Sequence, residues 1–149
     1  MPDNRLLQQQ FEGYTLDDIA KAVAMVESSG GTNSVPRYEP GFQKIYGKKY
    51  ETELFPELFA NMLSRYGQEK VYASYGRHQI MWPVAVELGF RGTPEELADE
   101  KTNRFYFEKK FNRDWKGSGG NLTGAFLRYN GGGNPDYPNK VIRYLPKRG

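Results

Sequence analysis

Glu27 is the residue whose type and position point most directly to chemistry. It lies eleven positions after Leu16, and at about 100° per residue this returns it to nearly the same azimuth on a helix. It therefore projects from the apolar face formed by Ile19, Val23 and Val26. It also falls in the last turn of the expected helix, where the backbone dipole disfavours an anion. Desolvation and the nearby carbonyl ends both push a carboxyl toward its protonated form. A carboxylic acid kept protonated near neutral pH is what general-acid cleavage of a glycosidic bond requires. A glutamate at a helix end is also commonly solvated or paired with Lys or Arg, and periodicity alone leaves both readings open.

The other chemical candidates are fewer. Glu39, in Arg37-Tyr38-Glu39-Pro40, would permit hydrolysis by an activated water if it faced Glu27; the alternative is a loop contact between Arg37 and Glu39. Asp99, Asp114, Glu51 and Glu53 are expected on solvated faces. The chain has one histidine, His78, and no cysteine, so neither a metal site nor a disulfide is expected, and no cofactor is implied. His78 is read as a polar residue at the rim or in the wall of a cleft. Trp82 would either stack on a sugar ring or pack at a helix start.

The elements that must position these residues are helical. Thr15 caps the first helix with Asp18 in the capping-box position, and Gly30-Gly31 ends it. Residues 32–50 read as a long irregular segment broken by Pro36, Pro40, Gly41 and Gly47. Leu54, Phe55, Leu58, Phe59, Met62, Leu63 and Tyr66 repeat with a helical period, with Pro56 near the first turn and Gly67 as the stop. Ala73-Ser74-Tyr75-Gly76 is turn-like, and a helix from Pro83 to Leu88 is closed by Gly89. Thr93-Pro94-Glu95-Glu96 forms a second capping box. Phe107, Phe111 and Trp115 mark a helix over 99–115. Leu122, Ala125, Phe126 and Tyr129 mark another, with Asn130 as its left-handed terminator, and Tyr137, Val141, Tyr144 and Leu145 mark a last short one. No strand hairpin is convincing, although a small β element fits within 32–50 or 70–80. The fold class is mainly α, in a single domain over 1–149, with 1–12 as a loose N-terminal segment.

Composition agrees with a globular chain: charged residues make up 26% and hydrophobic ones 38%, outside the disordered range. Mean hydropathy is −0.78. The net charge of +3 favours anionic partners only mildly, and the scatter of Lys and Arg argues against a nucleic-acid binder. The start MPDNRLLQQQ has no apolar core, so no signal peptide is expected and the chain is read as made in the cytoplasm. No integral membrane segment is expected, and the chain is read as a monomer.

Three segments occur in order. They are Glu27-Ser28-Ser29-Gly30-Gly31, then Ala73-Ser74-Tyr75-Gly76-Arg77-His78-Gln79-Ile80-Met81-Trp82-Pro83-Val84-Ala85 with Leu88-Gly89, then Ala125-Phe126-Leu127-Arg128-Tyr129-Asn130-Gly131-Gly132 with Tyr137-Pro138-Asn139-Lys140-Val141. Together they resemble the lytic transglycosylases, the goose-lysozyme-like enzymes that cleave peptidoglycan. The family pattern is E-S-x-x-G, then G-A-x-G-L-x-Q-I-M-P-x-T-A-x-x-L-G, then A-Y-N-A-G. Arg77 and His78 replace its Leu and Met, its Thr is absent from Trp82-Pro83-Val84-Ala85, and residues 32–72 form an enlarged insert between the first two motifs. The length and start are similar to phage-type members.

The resemblance implies a lysozyme-like fold with a substrate groove. It implies that Glu27 protonates the oxygen between N-acetylmuramic acid and N-acetylglucosamine, then takes the proton of the C6 hydroxyl to give a 1,6-anhydro product. Glycan strands of the bacterial cell wall are the implied partner, reached after release or as part of a phage particle. Gln79 and Met81 are implied groove residues, with Tyr129 near the reacting sugar and its hydroxyl reaching the cleft. Ser74, Tyr75 and Asn130 are further candidates for substrate binding. A muramidase acting on the same bond and a non-catalytic wall-binding or virion structural module are the alternatives.

Overall fold

The computed structural model describes residues 11–147. Local sequence sets its first element as expected. The Thr15 hydroxyl accepts from the Asp18 N–H at 2.9 Å, and the Asp18 carboxylate accepts from the Thr15 N–H at 3.0 Å. This reciprocal cap starts α1, Leu16–Ser28. The helix ends at Ser29, whose φ of 52° already lies in the left-handed region. The expected loose segment falls on residues 1–10, outside the described residues, except at its end. There Phe11 is buried, edge-on to Phe111 and Trp115 at 5.2 and 5.1 Å between ring centres.

Residues 32–50 are not irregular throughout. After the two-residue strand β1, Arg37–Tyr38, comes α2, Pro40–Lys49, which runs into a wider turn over Tyr50–Leu54. The supposed breakers are compatible with a helix for physical reasons. Pro40 sits at the first helical position, where no N–H is needed. Gly47 lies where a Cβ would come within 3.3 Å of the Tyr72 hydroxyl, so the glycine admits Tyr72, which donates to the Glu51 carboxylate at 2.6 Å.

The next helix, α3, Pro56–Tyr66, matches its expected limits and stops at Gly67; a single turn, α4, Gln68–Val71, follows. The turn-like segment is instead strand β2, Ala73–Tyr75, which pairs with β3, Ile80–Met81. The sheet order is β1-β2-β3, antiparallel, with Arg37 opposite Ser74 and Ser74 opposite Met81. Helix α5 is Trp82–Glu87. The second capping box opens only a 3₁₀ turn, Glu95–Ala98, because Asp99 resets the backbone and caps α6, Glu100–Gly117. Helices α7, Leu122–Tyr129, and α8, Tyr137–Ile142, complete the chain. The protein is mainly helical and built on one core.

That core is aromatic. Phe111 contacts Phe107, Phe126 and Trp115, and Phe59 contacts Tyr50, Tyr72 and Trp82. Trp82 is fully buried, and its indole N–H donates to the Gly92 carbonyl at 3.1 Å. It packs the helix start and is not available to a sugar. Among the described residues no helix is long and apolar enough to cross a membrane.

Asn103 of α6 organises the turn between β2 and β3. Its amide donates to the carbonyls of Tyr75 (2.8 Å) and Leu97 (2.9 Å), and its oxygen accepts from the His78 N–H (2.9 Å). Gly76, at φ 78°, must be glycine, because an added Cβ would lie 2.4 Å from the Asn103 amide nitrogen. Asn103→Ala leaves three buried backbone groups unpaired. The expected loss of stability is about 3 kcal/mol, measured as a shift of the denaturant midpoint at constant slope.

Candidate functional site

Ser28 joins the end of α1 to the turn between β2 and β3. Its hydroxyl donates to the Arg77 carbonyl at 2.6 Å and accepts from the Gly31 N–H at 2.9 Å. This holds Glu27, one residue earlier, beside Gln79, two residues later. Both line a cavity of about 550 Å³, together with Ser74, Met81, Tyr129 and Asn130. Five of the six residues implied for substrate binding therefore meet around Glu27, and Glu39 lines the same cavity.

The sixth, Tyr75, does not. Successive strand residues face opposite sides, so with Ser74 in the cavity Tyr75 turns away. It is buried, and its hydroxyl donates to the Lys70 carbonyl. Tyr129 also differs from expectation. Its ring borders the cavity, but its hydroxyl is buried and donates to the His78 carbonyl at 2.9 Å. The Gln79 amide is already engaged, accepting from the Ser74 hydroxyl at 2.9 Å and donating to the Gly76 carbonyl at 2.8 Å. One N–H and one lone pair of that amide remain for a ligand. Gln79 holds φ at 47°, a left-handed conformation uncommon outside glycine that the two amide bonds help to fix. Asn130 has φ −84°, and Gly131 and Gly132 take the left-handed positions instead.

Glu27 is held by a residue that the sequence had placed only on the apolar face of a helix. Tyr137, the first residue of α8, donates its hydroxyl to the Glu27 carboxylate at 2.6 Å. Burial raises the Glu27 pKa above the ordinary glutamate value. The Tyr137 hydrogen bond and the charges of Lys110 and Arg37 oppose that rise, and the Glu39 charge adds to it. The last turn of α1 holds no basic side chain to offset the helix carbonyls. Tyr137 itself stays protonated, because burial raises its own pKa well above the usual value.

Lys110 is the second residue the sequence reading missed. It is buried in the cavity wall, with its ammonium 3.3 Å from the centre of the Tyr129 ring and donating to the Tyr129 carbonyl at 2.5 Å. Burial lowers its pKa to about 8, against the attraction of Asp114 and Glu27. Asp114, expected on a solvated face, is only 3% exposed, and its Oδ2 has no hydrogen-bond partner among the described residues. Both acidic neighbours therefore favour a charged Lys110.

His78 is neither at the rim nor in the wall of the Glu27 cavity. It is buried, stacked on Phe107 at 4.4 Å, and desolvation pushes its pKa down to about 3. Glu39 is exposed, precedes α2 without a side-chain capping bond, and is fixed by its N–H to the Tyr72 carbonyl at 2.9 Å. Among the described ion pairs none joins Arg37 to Glu39. Trios of His, Asp or Glu placed to hold a metal are absent among the described residues.

Comparison with protein-family models, with curated proteins and with solved structures finds no match for this chain.

The charges around Glu27 make three signed expectations. Tyr137→Phe and Lys110→Met each remove an influence that favours the carboxylate, so each raises the Glu27 pKa further. Glu39→Gln removes a repelling charge and lowers it. Carbon-13 NMR titration of the Glu27 carboxyl in the three variants reads all three directions.

Proposed function

We propose that the protein cleaves glycan strands of bacterial peptidoglycan as a lytic transglycosylase, with Glu27 as the acid and then the base. The observation that carries this reading is a partly buried carboxyl of raised pKa, hydrogen-bonded by Tyr137, in a cavity of about 550 Å³. That volume suits a small-ligand site. The reading also rests on the ordered motifs around Glu27, Gln79 and Tyr129, and on a mainly helical, single-core fold.

Each influence on Glu27 has a part in the reaction. Burial favours the protonated carboxyl, which donates its proton to the bridging oxygen as the bond from C1 of N-acetylmuramic acid to that oxygen breaks. The substrate's own acetamido oxygen stabilises the cationic C1, so no second carboxylate is required. Glu27 is then an anion, and the Tyr137 hydroxyl and the Lys110 charge favour that state. The carboxylate takes the proton of the C6 hydroxyl as O6 bonds to C1. The products are a free N-acetylglucosamine 4-hydroxyl and a 1,6-anhydro end, and Glu27 regains its proton.

Glu39 supports a second reading. An exposed carboxylate lines the same cavity; activation of water by it would make the enzyme a muramidase. Mass spectrometry of digested peptidoglycan separates the two, because anhydro ends mean transglycosylation and reducing ends mean hydrolysis. We expect anhydro ends, with Glu39→Gln leaving the product unchanged.

Glu27→Gln is expected to abolish cell-wall lysis, by at least about 10²-fold for a lost acid/base. It should also fold. A carboxyl whose pKa is raised in the folded state contributes stability at low pH that is lost as pH rises through its folded pKa. The amide removes that loss, so Glu27→Gln should be at least as stable as the parent at pH 7. Thermal melts at pH 7 alongside turbidity clearing of cell walls check both, and lysis surviving in the folded variant would sink the assignment.

A further inference from the structure

Helix α2 presents an apolar strip that nothing in the described chain covers. Ile45 is 71% exposed and Tyr46 43% exposed. They lie three and four residues after Phe42, hence on its face of the helix, and all three line the cavity that holds Glu27. Phe42 is the anchored end of the strip. Its ring meets Tyr50 at 6.1 Å, and Tyr50 stacks on the buried Phe59 at 5.0 Å. The Tyr46 ring leans on Phe42 at 4.9 Å while remaining open to solvent.

The strip is held rigidly. Tyr38 donates to the Gln43 side chain, the Glu39 N–H donates to the Tyr72 carbonyl, and Tyr72 donates to the Gly47 carbonyl and Glu51 at the other end. Polar groups flank it, with Glu39 before and Lys49 after on the same cavity wall.

We propose that Tyr46 and Ile45 form an additional sugar subsite, seating a pyranose ring of the strand whose scissile bond lies at Glu27. A pyranose has apolar C–H faces and hydroxylated edges, and this wall pairs an apolar face with flanking charges. A purely apolar occupant would leave Glu39 and Lys49 desolvated and unpaired. An aromatic ring offers a broad face at low conformational cost. The subsite belongs to the enlarged segment between the first two motifs, so that segment sets how far along a glycan strand the protein grips. This inference rests on the proposed function.

The test uses the Glu27→Gln protein, which binds without cleaving, and a peptide-free octasaccharide of alternating N-acetylglucosamine and N-acetylmuramic acid. Isothermal titration calorimetry compares it with the same protein also carrying Ile45→Ser and Tyr46→Ala, and with one carrying Tyr46→Phe alone. The expected result is about a tenfold weaker Kd for the double change, the factor of a lost contact of about 1.4 kcal/mol, and an unchanged Kd for Tyr46→Phe. Unchanged binding by the double variant overturns the subsite, as does weakened binding by Tyr46→Phe. If Glu27→Gln alone binds no octasaccharide, the proposed function fails and the subsite with it. Both positions are exposed, so folding is expected to survive, and a melting curve checks it.

Discussion

The site depends on one hydroxyl. Ser28 is only 1% exposed, and it ties the end of a helix to a turn 49 residues away. The bond adds a tertiary anchor to a helix end whose Ala24 and Ser28 carbonyls already accept from the backbone N–H groups of Gly30 and Asn33. The same bond positions the Arg77 backbone, and through it the Gln79 turn. Asn103 holds that turn from the other side through the His78 N–H. A small residue beside the glutamate thus couples the two chain segments that bring Glu27 and Gln79 to the cavity.

Burial at this site works against stability in more than one way. Glu27 and Lys110 are both desolvated, and neither forms a close ion pair with the other among the described contacts. Partial compensation comes from a neutral donor, Tyr137, and from a carbonyl and a ring face around Lys110. Such an arrangement leaves two charges whose protonation states respond to one another, unlike a closed salt bridge that would fix both. His78 acts on the opposite flank of the pH scale. Its pKa is depressed from 6.5 to about 3, so the folded state resists its protonation. Its contribution to stability is present above the ordinary histidine range and is lost as pH falls through that range toward 3. Glu27 loses its contribution as pH rises, and His78 loses its own as pH falls.

Much of the architecture was legible in the sequence because local signals and packing agree there. Thr15 with Asp18, Pro56 with Gly67, and the Phe107-Phe111-Trp115 stripe each predict an element that the fold keeps. Single-residue punctuation misled where its context differed. Pro40 reads as a breaker but opens a helix, and Gly47 reads as another although its missing Cβ admits Tyr72. Strands β1 and β2 fall within the two segments expected to admit a small β element, but their limits were not legible because two or three residues are too few to display alternation. Among site residues, the motifs placed Glu27, Gln79 and Met81 at the cavity but could not see which hydroxyl faces the carboxyl. Tyr129 and Tyr137 both lie in the third segment, and only the folded chain shows that Tyr129 spends its hydroxyl on His78 while Tyr137 reaches Glu27. Lys110 and Asp114 did leave a trace. At about 100° per residue, Asp114 falls about 20° from Phe107 and Lys110 about 60° from it, so the charged pair lies on the buried stripe.

The cavity has two walls of different origin, which bears on how such a site changes. One wall carries Ser74 and Gln79, whose side chains bond to each other and to the Gly76 carbonyl, and Ser28 ties the adjoining turn to α1. A substitution there leaves a buried partner unpaired and acts on the fold as well as on the site. The other wall is α2, which is fixed by its ends and by Phe42 while Ile45 and Tyr46 lie exposed in the cavity lining, Tyr46 in contact with the Phe42 ring. Substitutions on that face alter the shape and chemistry of the cavity at little structural cost. The residues around Glu27 are therefore tied into the fold, whereas the exposed side chains of the α2 face are tied to it by far fewer contacts.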